Sequence, residues 1–246
     1  MPVSEIKIIK SGTITFDSFE EPTNQIRAFK KFCGVGGGSS VTYIRSDKKI
    51  IIDTGYDFEE NRGKDNRQRN RKILIGALTA ADITPEDVDI VFLTHGHFDH
   101  LLNFPVFSES EIVMSRVELE GHNSHFRAVN DNEGIADGVT VLATPGHTRG
   151  HCSLLCETDN LRHMTRSEMG GQIMGIGKLK VVVAGDAVIT SSYFMQDKIW
   201  SYNPDFYSEE AARESQCKIQ KIADFIIPGH GTIFKNIRKD NANITG

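Results

Sequence analysis

The chain has 246 residues, 39% of them hydrophobic and 25% charged, with a formal net charge of −5. That length suits an α/β domain with a substantial core, and the acidic balance argues against a wholly basic nucleic-acid binder. No apolar run is long enough to span a bilayer, and Met1-Pro2-Val3-Ser4-Glu5 lacks the basic-then-apolar pattern of a signal peptide, so a cytoplasmic protein is expected.

The apolar residues Ile6 to Ile9 predict a short strand, and Thr13 to Phe16 a second. Residues 34–40 are glycine-rich and lead into a strand at Val41-Thr42-Tyr43-Ile44. No Gly-Lys-Ser/Thr ending follows, so a phosphate-binding loop is unsupported. Ser46-Asp47-Lys48-Lys49 reads as a hairpin turn into Ile50-Ile51-Ile52, which runs into Asp53-Thr54-Gly55. Residues 62–72 are markedly basic. They suit either a solvated loop and charged helix start, or a contact for a phosphate backbone or small anion. A helix is expected over 71–81, and Pro85 opens a further helical turn. Val88 to Leu93 then reads as a buried strand.

Residues 118–127 predict a helix with His122 and His125 on one face. Val139 to Ala143 reads as a strand. Cys152 and Cys156 fall on one face of another, as buried core thiols. With Cys33 and Cys217 they make four widely spread cysteines, too few for a disulfide framework. Residues 161–177, with three methionines, read as a loop between strands. Lys180 to Val183 is a strand. Tyr193, Phe194, Trp200 and Tyr202 wall a substrate pocket, form a dimer contact or simply pack. A helix over 208–222 precedes a strand at Phe225-Ile226-Ile227, and the tail after Phe234 is polar and expected to fray.

Four of these strands end in groups that bind metals. His95-Gly96-His97-Phe98-Asp99-His100 follows the strand at Val88. Thr144-Pro145-Gly146-His147, Ala184-Gly185-Asp186 and Pro228-Gly229-His230-Gly231 follow three others. A lone Gly-Asp after a strand is usually a turn. Recurrence at four strand ends instead predicts that His95, His97, Asp99, His100, His147, Asp186 and His230 meet at one sheet edge. Nitrogen and oxygen donors at this density suit zinc, and also iron or manganese.

From about Gly36 to Gly231 this motif order resembles the metallo-β-lactamase superfamily, and within it the glyoxalase-II-like group. The later segments that carry the likeness are Val181 to Asp186, Trp200 with Asn203-Pro204, and Ala223 to Gly231. The resemblance implies a four-layer αββα sandwich, with residues 1–246 as a single domain. It implies two divalent ions, zinc first, with manganese or iron as alternatives. His95, His97 and His147 would bind one ion, Asp99, His100 and His230 the other, and Asp186 both. Asp99 and Asp186 are the carboxylates at the catalytic centre. A hydroxide shared by the two ions would be the nucleophile. In a one-metal relative the same aspartate can instead merely orient a histidine. Asp53 is either a brace beneath the metal loop or a plain turn residue, and His151 is expected to support the site without binding metal.

The expected activity is hydrolysis of an ester-like bond in a small lactone or thioester. A glyoxalase-II-type thioesterase usually carries an added C-terminal helical region, which weakens the thioester option here. Three other functions follow from the same resemblance. The chain could be an endoribonuclease holding RNA through residues 62–72, although the clamp domain of RNA-processing members is lacking. It could be a persulfide dioxygenase with one iron, or a metal-stabilised binding module without turnover. A small-molecule substrate, RNA and a homodimer are the partners considered, and no membrane.

Overall fold

A computed structural model describes residues 2–14, 35, 37–57, 67–120, 125–159 and 178–241. Residues 15–16, 62–66, 122 and 161–177, and Cys33, on which several of the expectations above fall, lie outside that set. Among the described residues the strands form two six-stranded sheets, each in sequential order. The first contains β1 (Glu5–Lys10), β2 (Val41–Arg45), β3 (Lys49–Ile52), β4 (Ile90–Leu93), β5 (Glu111–Ser115) and β6 (Arg127–Val129). The second contains β7 (Gly134–Ala136), β8 (Val139–Ala143), β9 (Cys152–Thr158), β10 (Leu179–Gly185), β11 (Phe225–Pro228) and β12 (Phe234–Lys235). Both sheets are mixed. β3 to β6 run parallel, as do β10 and β11, and the remaining neighbours are antiparallel.

The two-residue period of the strands explains the layering. On β4, Ile90 and Phe92 face the second sheet, while Val91 and Leu93 face outward. On β10, Val181 and Val183 face the first sheet, while Val182 and Ala184 face outward. The central core is therefore built from both sheets, Ile44, Ile52 and Phe92 meeting Val141, Leu154 and Ile227. Cys152 and Cys156 lie on the same face of β9 in this core, as their spacing predicts. Strands covered on both faces read as unbroken apolar runs, which is why Ile50-Ile51-Ile52 and Val181-Val182-Val183 stand out in the sequence.

Helices cover the outer faces. Helix α1 (Arg67–Ala80) buries Asn70, Leu74 and Leu78, one residue per turn, against the first sheet. It starts four residues before the position the sequence suggests, so Arg67, Arg69, Arg71 and Lys72 lie on its exposed face. The short helices α2 (Phe98–Leu101) and α3 (Ser191–Met195) follow two of the metal-type loops. Helix α4 (Glu209–Ile222) buries Ala212, Ser215, Gln216 and Ile219 against the second sheet. Its start is fixed by Ser208, whose Oγ accepts the Ala211 N–H at 3.2 Å, a cap contributing about 1 kcal/mol. The four layers are those of an αββα sandwich.

Three local expectations are corrected. Residues 117–120 form a turn and 127–129 a strand, so no helix carries His125: parallel pairing of β6 with β5 wins over helical spacing. Thr13 and Ile14 are irregular, because the Thr13 backbone is engaged by Gly38 and His230. The tail does not fray at Phe234. It forms β12 and the short helix α5 (Arg238–Asn241), held by the Asn236 side chain on the Gln220 and Ala223 carbonyls and by Lys239 on Asp224. No helix among the described residues is long and apolar enough to cross a membrane.

Candidate metal centre

The ligand-type residues leave the carboxyl ends of β4, β8, β10 and β11. The first of these strands belongs to one sheet and the other three to its partner, so the site spans the shared edge of two sheets and not the edge of one. The Cys152 N–H joins the two sheets directly beneath it, donating to the Thr94 carbonyl at 2.9 Å. All seven residues are buried and fall into two groups: His95, His97, His147 and Asp186, and Asp99, His100 and His230.

Within the first group, His97 Nδ1 lies 2.9 Å from both His95 Nε2 and His147 Nε2, and His147 Nε2 lies 3.2 Å from Asp186 Oδ2. In the second group, His230 Nε2 is 3.4 Å from Asp99 Oδ2, and His100 Nε2 is 3.8 Å from the same oxygen. Asp186 Oδ1 joins the groups, 3.2 Å from His100 Nε2 and 3.4 Å from His230 Nε2. Two ligands on one tetrahedral ion with bonds of about 2.0–2.1 Å are about 3.3 Å apart. These separations match donors arranged around a common point.

The hydrogen bonds test whether the donors could serve an ion. Both oxygens of Asp99, both of Asp186, and Nε2 of His100 and His230 are buried without a hydrogen-bonding partner. Burying such atoms unpaired costs about 1–3 kcal/mol each. A cation would satisfy them together. Of the five ligand-type histidines, four commit the outward ring nitrogen to an acceptor, while His147 Nδ1 is buried without a hydrogen-bonding partner. His100 Nδ1 donates to Asp53 Oδ2 at 2.7 Å, His230 Nδ1 to the Thr13 carbonyl at 2.8 Å, and His97 Nε2 to Asp205 Oδ2 at 2.9 Å. The Thr94 hydroxyl donates to Asp53 Oδ2 at 2.9 Å, so it accepts from His95 Nδ1 at 3.0 Å. In the neutral form of each of these four histidines the inward nitrogen would be left with a lone pair, the form that binds metal.

In the metal-free protein a proton would compete with an ion for some of these nitrogens. Burial works against a proton on His100, but Asp53, Asp186 and Asp99 outweigh it and hold the pKa well above the usual histidine range. His230 is likewise opposed by burial, yet Asp186 and Asp99 lift it to about 9. Burial, with help from neighbouring imidazoles, pushes His95 well below the ordinary value, and burial does the same to His147 against the pull of Asp186. Burial opposes the Asp186 charge, but His100, His230 and His147 keep the carboxylate ionised.

The sequence matches the family model described as the metallo-β-lactamase superfamily over residues 34–161. It is similar to metallo-β-lactamase domain-containing protein 1 of Xenopus laevis, with 31% identity over 205 residues, covering 81% of this chain and 73% of that protein. The chain belongs to the metallo-β-lactamase superfamily. The Homo sapiens protein of the same name is 27% identical over 84% of this chain, which spans 66% of that relative's length. An N-acyl homoserine lactonase of Bacillus cereus is 30% identical over 99 residues, 35% of this chain and 40% of the lactonase. A solved quorum-quenching N-acyl homoserine lactone lactonase shares the fold with a TM-score of 0.59 and 18% identity, over 94% of this chain and 93% of that one. The chain is thus a metallohydrolase of the metallo-β-lactamase fold.

In this member of the superfamily Asp53 is a brace and not a plain turn residue. It holds a left-handed backbone, φ 57°, a conformation that aspartate tolerates better than most residues. Its Oδ1 accepts the Thr94 N–H at 2.9 Å. His151 is a second accepting brace, behind a carboxylate residue: Nδ1 meets the Thr144 hydroxyl at 2.9 Å, and Nε2 accepts the Asp186 N–H at 3.0 Å. Burial depresses its pKa to about 3, so it stays neutral and able to accept. Tyr193, Trp200 and Tyr202 pack together with Val35 and Ile189, and Phe194 joins the core beneath helix α4.

Two carboxylates escape the sequence reading. Glu118 accepts the Gly96 N–H at 2.8 Å with one oxygen. With the other it accepts the Thr148 hydroxyl at 2.9 Å and the Gly150 N–H at 3.1 Å. It thereby ties the loop of His95 and His97 to the loop of His147. Asp205 reaches His97 from 108 residues away. Neither follows a motif; the only local hint is that Asp205 comes directly after the Asn203-Pro204 pair.

Proposed function

We propose that the protein is a binuclear, metal-dependent hydrolase that cleaves an ester-like bond in a small lactone or thioester. The observation that carries this is Asp186, whose two unpartnered oxygens face one group of histidines each. His95, His97 and His147 would hold one ion, Asp99, His100 and His230 the other, and Asp186 would serve both, with zinc first and manganese or iron as alternatives. Two divalent ions in this setting supply Lewis acidity and a nucleophile drawn from water at neutral pH.

The chain's own residues would do the rest. Neutral histidines leave the positive charge of the centre largely uncancelled, so an oxyanion forming there is stabilised. Asp53, Thr94 and Asp205 fix the ring orientations, and His151 fixes Asp186. Asp99 Oδ1 has no protein donor, and we assign to it the shuttling of one proton: it would take up the proton released when water supplies the nucleophile and pass it to the departing alkoxide or thiolate. Resemblance to an enzyme named as an N-acyl homoserine lactonase supports a lactone. The described thiols Cys152, Cys156 and Cys217 are free, which supports a cytoplasmic setting, and we read residues 1–246 as one domain.

The test is elemental analysis of protein purified without added metal, followed by lactone, thioester and RNA substrates. About two ions per chain with turnover of a lactone or thioester is the expected result. About one iron per chain with oxygen uptake, or salt-sensitive RNA cleavage that depends on Arg67, Arg69 and Arg71, would replace it with one of the other readings.

A further inference from the structure

The histidines of the site take their outer support from different depths. Asp53, which holds His100 directly and His95 through Thr94, is only 3% exposed. Asp205, which holds His97, has a side chain 46% exposed, whereas His97 itself is 4% exposed. Asp205 sits in a short strap, residues 203–208, between Trp200 and helix α4. The strap is anchored at both ends. Asn203 is buried and accepts the Trp200 indole N–H at 2.8 Å. At the other end the Tyr207 and Ser208 N–H groups both donate to the Gly146 carbonyl at 3.1 Å, one residue before His147. Gly146 is seated so tightly that a Cβ there would meet the Ala212 backbone at 2.4 Å. A single six-residue segment thus touches two of the three histidine positions of one group, His97 through a side chain and His147 through its loop.

We propose that Asp205 is a positioning residue for His97, which fixes the ring and its tautomer from the protein surface, and that the strap thereby governs how firmly the three-histidine group holds its ion. The proposal rests on the metallohydrolase reading. Its logic is that of any carboxylate behind a ligand histidine: accepting the outer N–H pins the ring and raises the basicity of the inner nitrogen. What is particular here is access. Since about half of the carboxylate faces solvent, a small carboxylate from solution can reach the position that a truncated side chain leaves.

The experiment uses cobalt(II) added to the metal-free protein, with wild type, Asp205→Ala and Asp205→Asn compared. The readouts are cobalt absorption, release of cobalt to a chelator, and the thermal midpoint of the metal-free protein. Asp205→Ala is expected to weaken one of two bound cobalt ions about 10–100-fold and to alter its absorption. The metal-free midpoint should fall only by what the loss of one partly exposed hydrogen bond entails, and Asp205→Asn, which keeps an acceptor oxygen, should lose less affinity. Adding formate should restore part of the affinity and spectrum in Asp205→Ala while leaving wild type unaltered, which a merely structural role would not produce. Wild-type cobalt affinity and absorption in Asp205→Ala, or a loss that formate does not reverse, would overturn the proposal. Failure of wild type itself to bind two ions would instead overturn the reading on which it rests.

Discussion

Asp53 and His100 are joined across 47 positions of sequence by a 2.7 Å hydrogen bond between groups that are both buried. The same carboxylate takes the Thr94 N–H and hydroxyl, so one side chain sets the orientation of His100 directly and of His95 at one remove. Two expectations follow for substitutions there. Asp53→Asn, which tolerates the left-handed backbone and keeps one acceptor, should lower metal affinity about tenfold. Asp53→Ala, which keeps none and adds backbone strain, should cost about 100-fold and some stability. Chelator competition and thermal unfolding of each variant measure both effects.

Ligand and brace should separate in kinetics. His97→Ala and Asp186→Ala are expected to reduce kcat by about 10³-fold or more, equivalent to about 4 kcal/mol, with circular dichroism close to wild type. His151→Ala should be milder, since it removes an acceptor for the Asp186 N–H and no ligand. Steady-state rates with any substrate found active decide this, and full activity in Asp186→Ala would rule out the proposed centre.

Gly229 offers a test by steric intrusion. A Cβ at this position would lie 1.9 Å from Asp186 Oδ1 and 2.9 Å from the Gly185 backbone. Gly229→Ala should therefore displace Asp186, lose bound metal and abolish turnover. Elemental analysis of the purified variant, beside its circular dichroism, shows whether the loss is local.

The metal-free protein should be most stable near pH 6.5. His97, His100 and His230 have pKa values raised above the unfolded value of about 6.5, His230 to about 9. Their contribution is complete below pH 6.5 and is lost as the pH rises through the folded values. His95, His147 and His151 are depressed, so unfolding takes up protons below pH 6.5 and stability falls in that direction. Bound metal needs neutral imidazoles, so metal-loaded protein should gain on metal-free protein as the pH rises from 6.5 to 9. Thermal midpoints of both forms across that range test the sign.

The cysteines should react unequally. Burial raises the Cys152 thiol to about 11 and Cys156 further still, whereas Cys217 is exposed. Brief alkylation of the native protein, followed by peptide mapping, should label Cys217 and spare the other two until the protein unfolds.

Much of the centre was legible because it is local in sequence. His95 to His100 lie within one turn, and His147, Asp186 and His230 each follow an apolar run that only a doubly covered strand requires. Which sheet each strand joins was not legible, since Val139 to Ala143 carries the same apolar signal as Ile90 to Leu93, yet they lie in different sheets. The braces were hidden for a related reason. A carboxylate such as Asp205 or Glu118 shows no periodicity, and its partner is fixed by the packing of remote loops. The failed helix around His125 shows the converse, with helical spacing overridden by strand pairing to Ser115 and its neighbours.

The stitch from Cys152 to Thr94 places the donors on two sheets that must already be face to face before any ion can be held. An ion that binds this arrangement rewards the finished protein and no earlier species. Saturating it should leave the rate of folding nearly unaltered and slow the rate of unfolding, so that loading lengthens the lifetime of the native chain more than it hastens its formation.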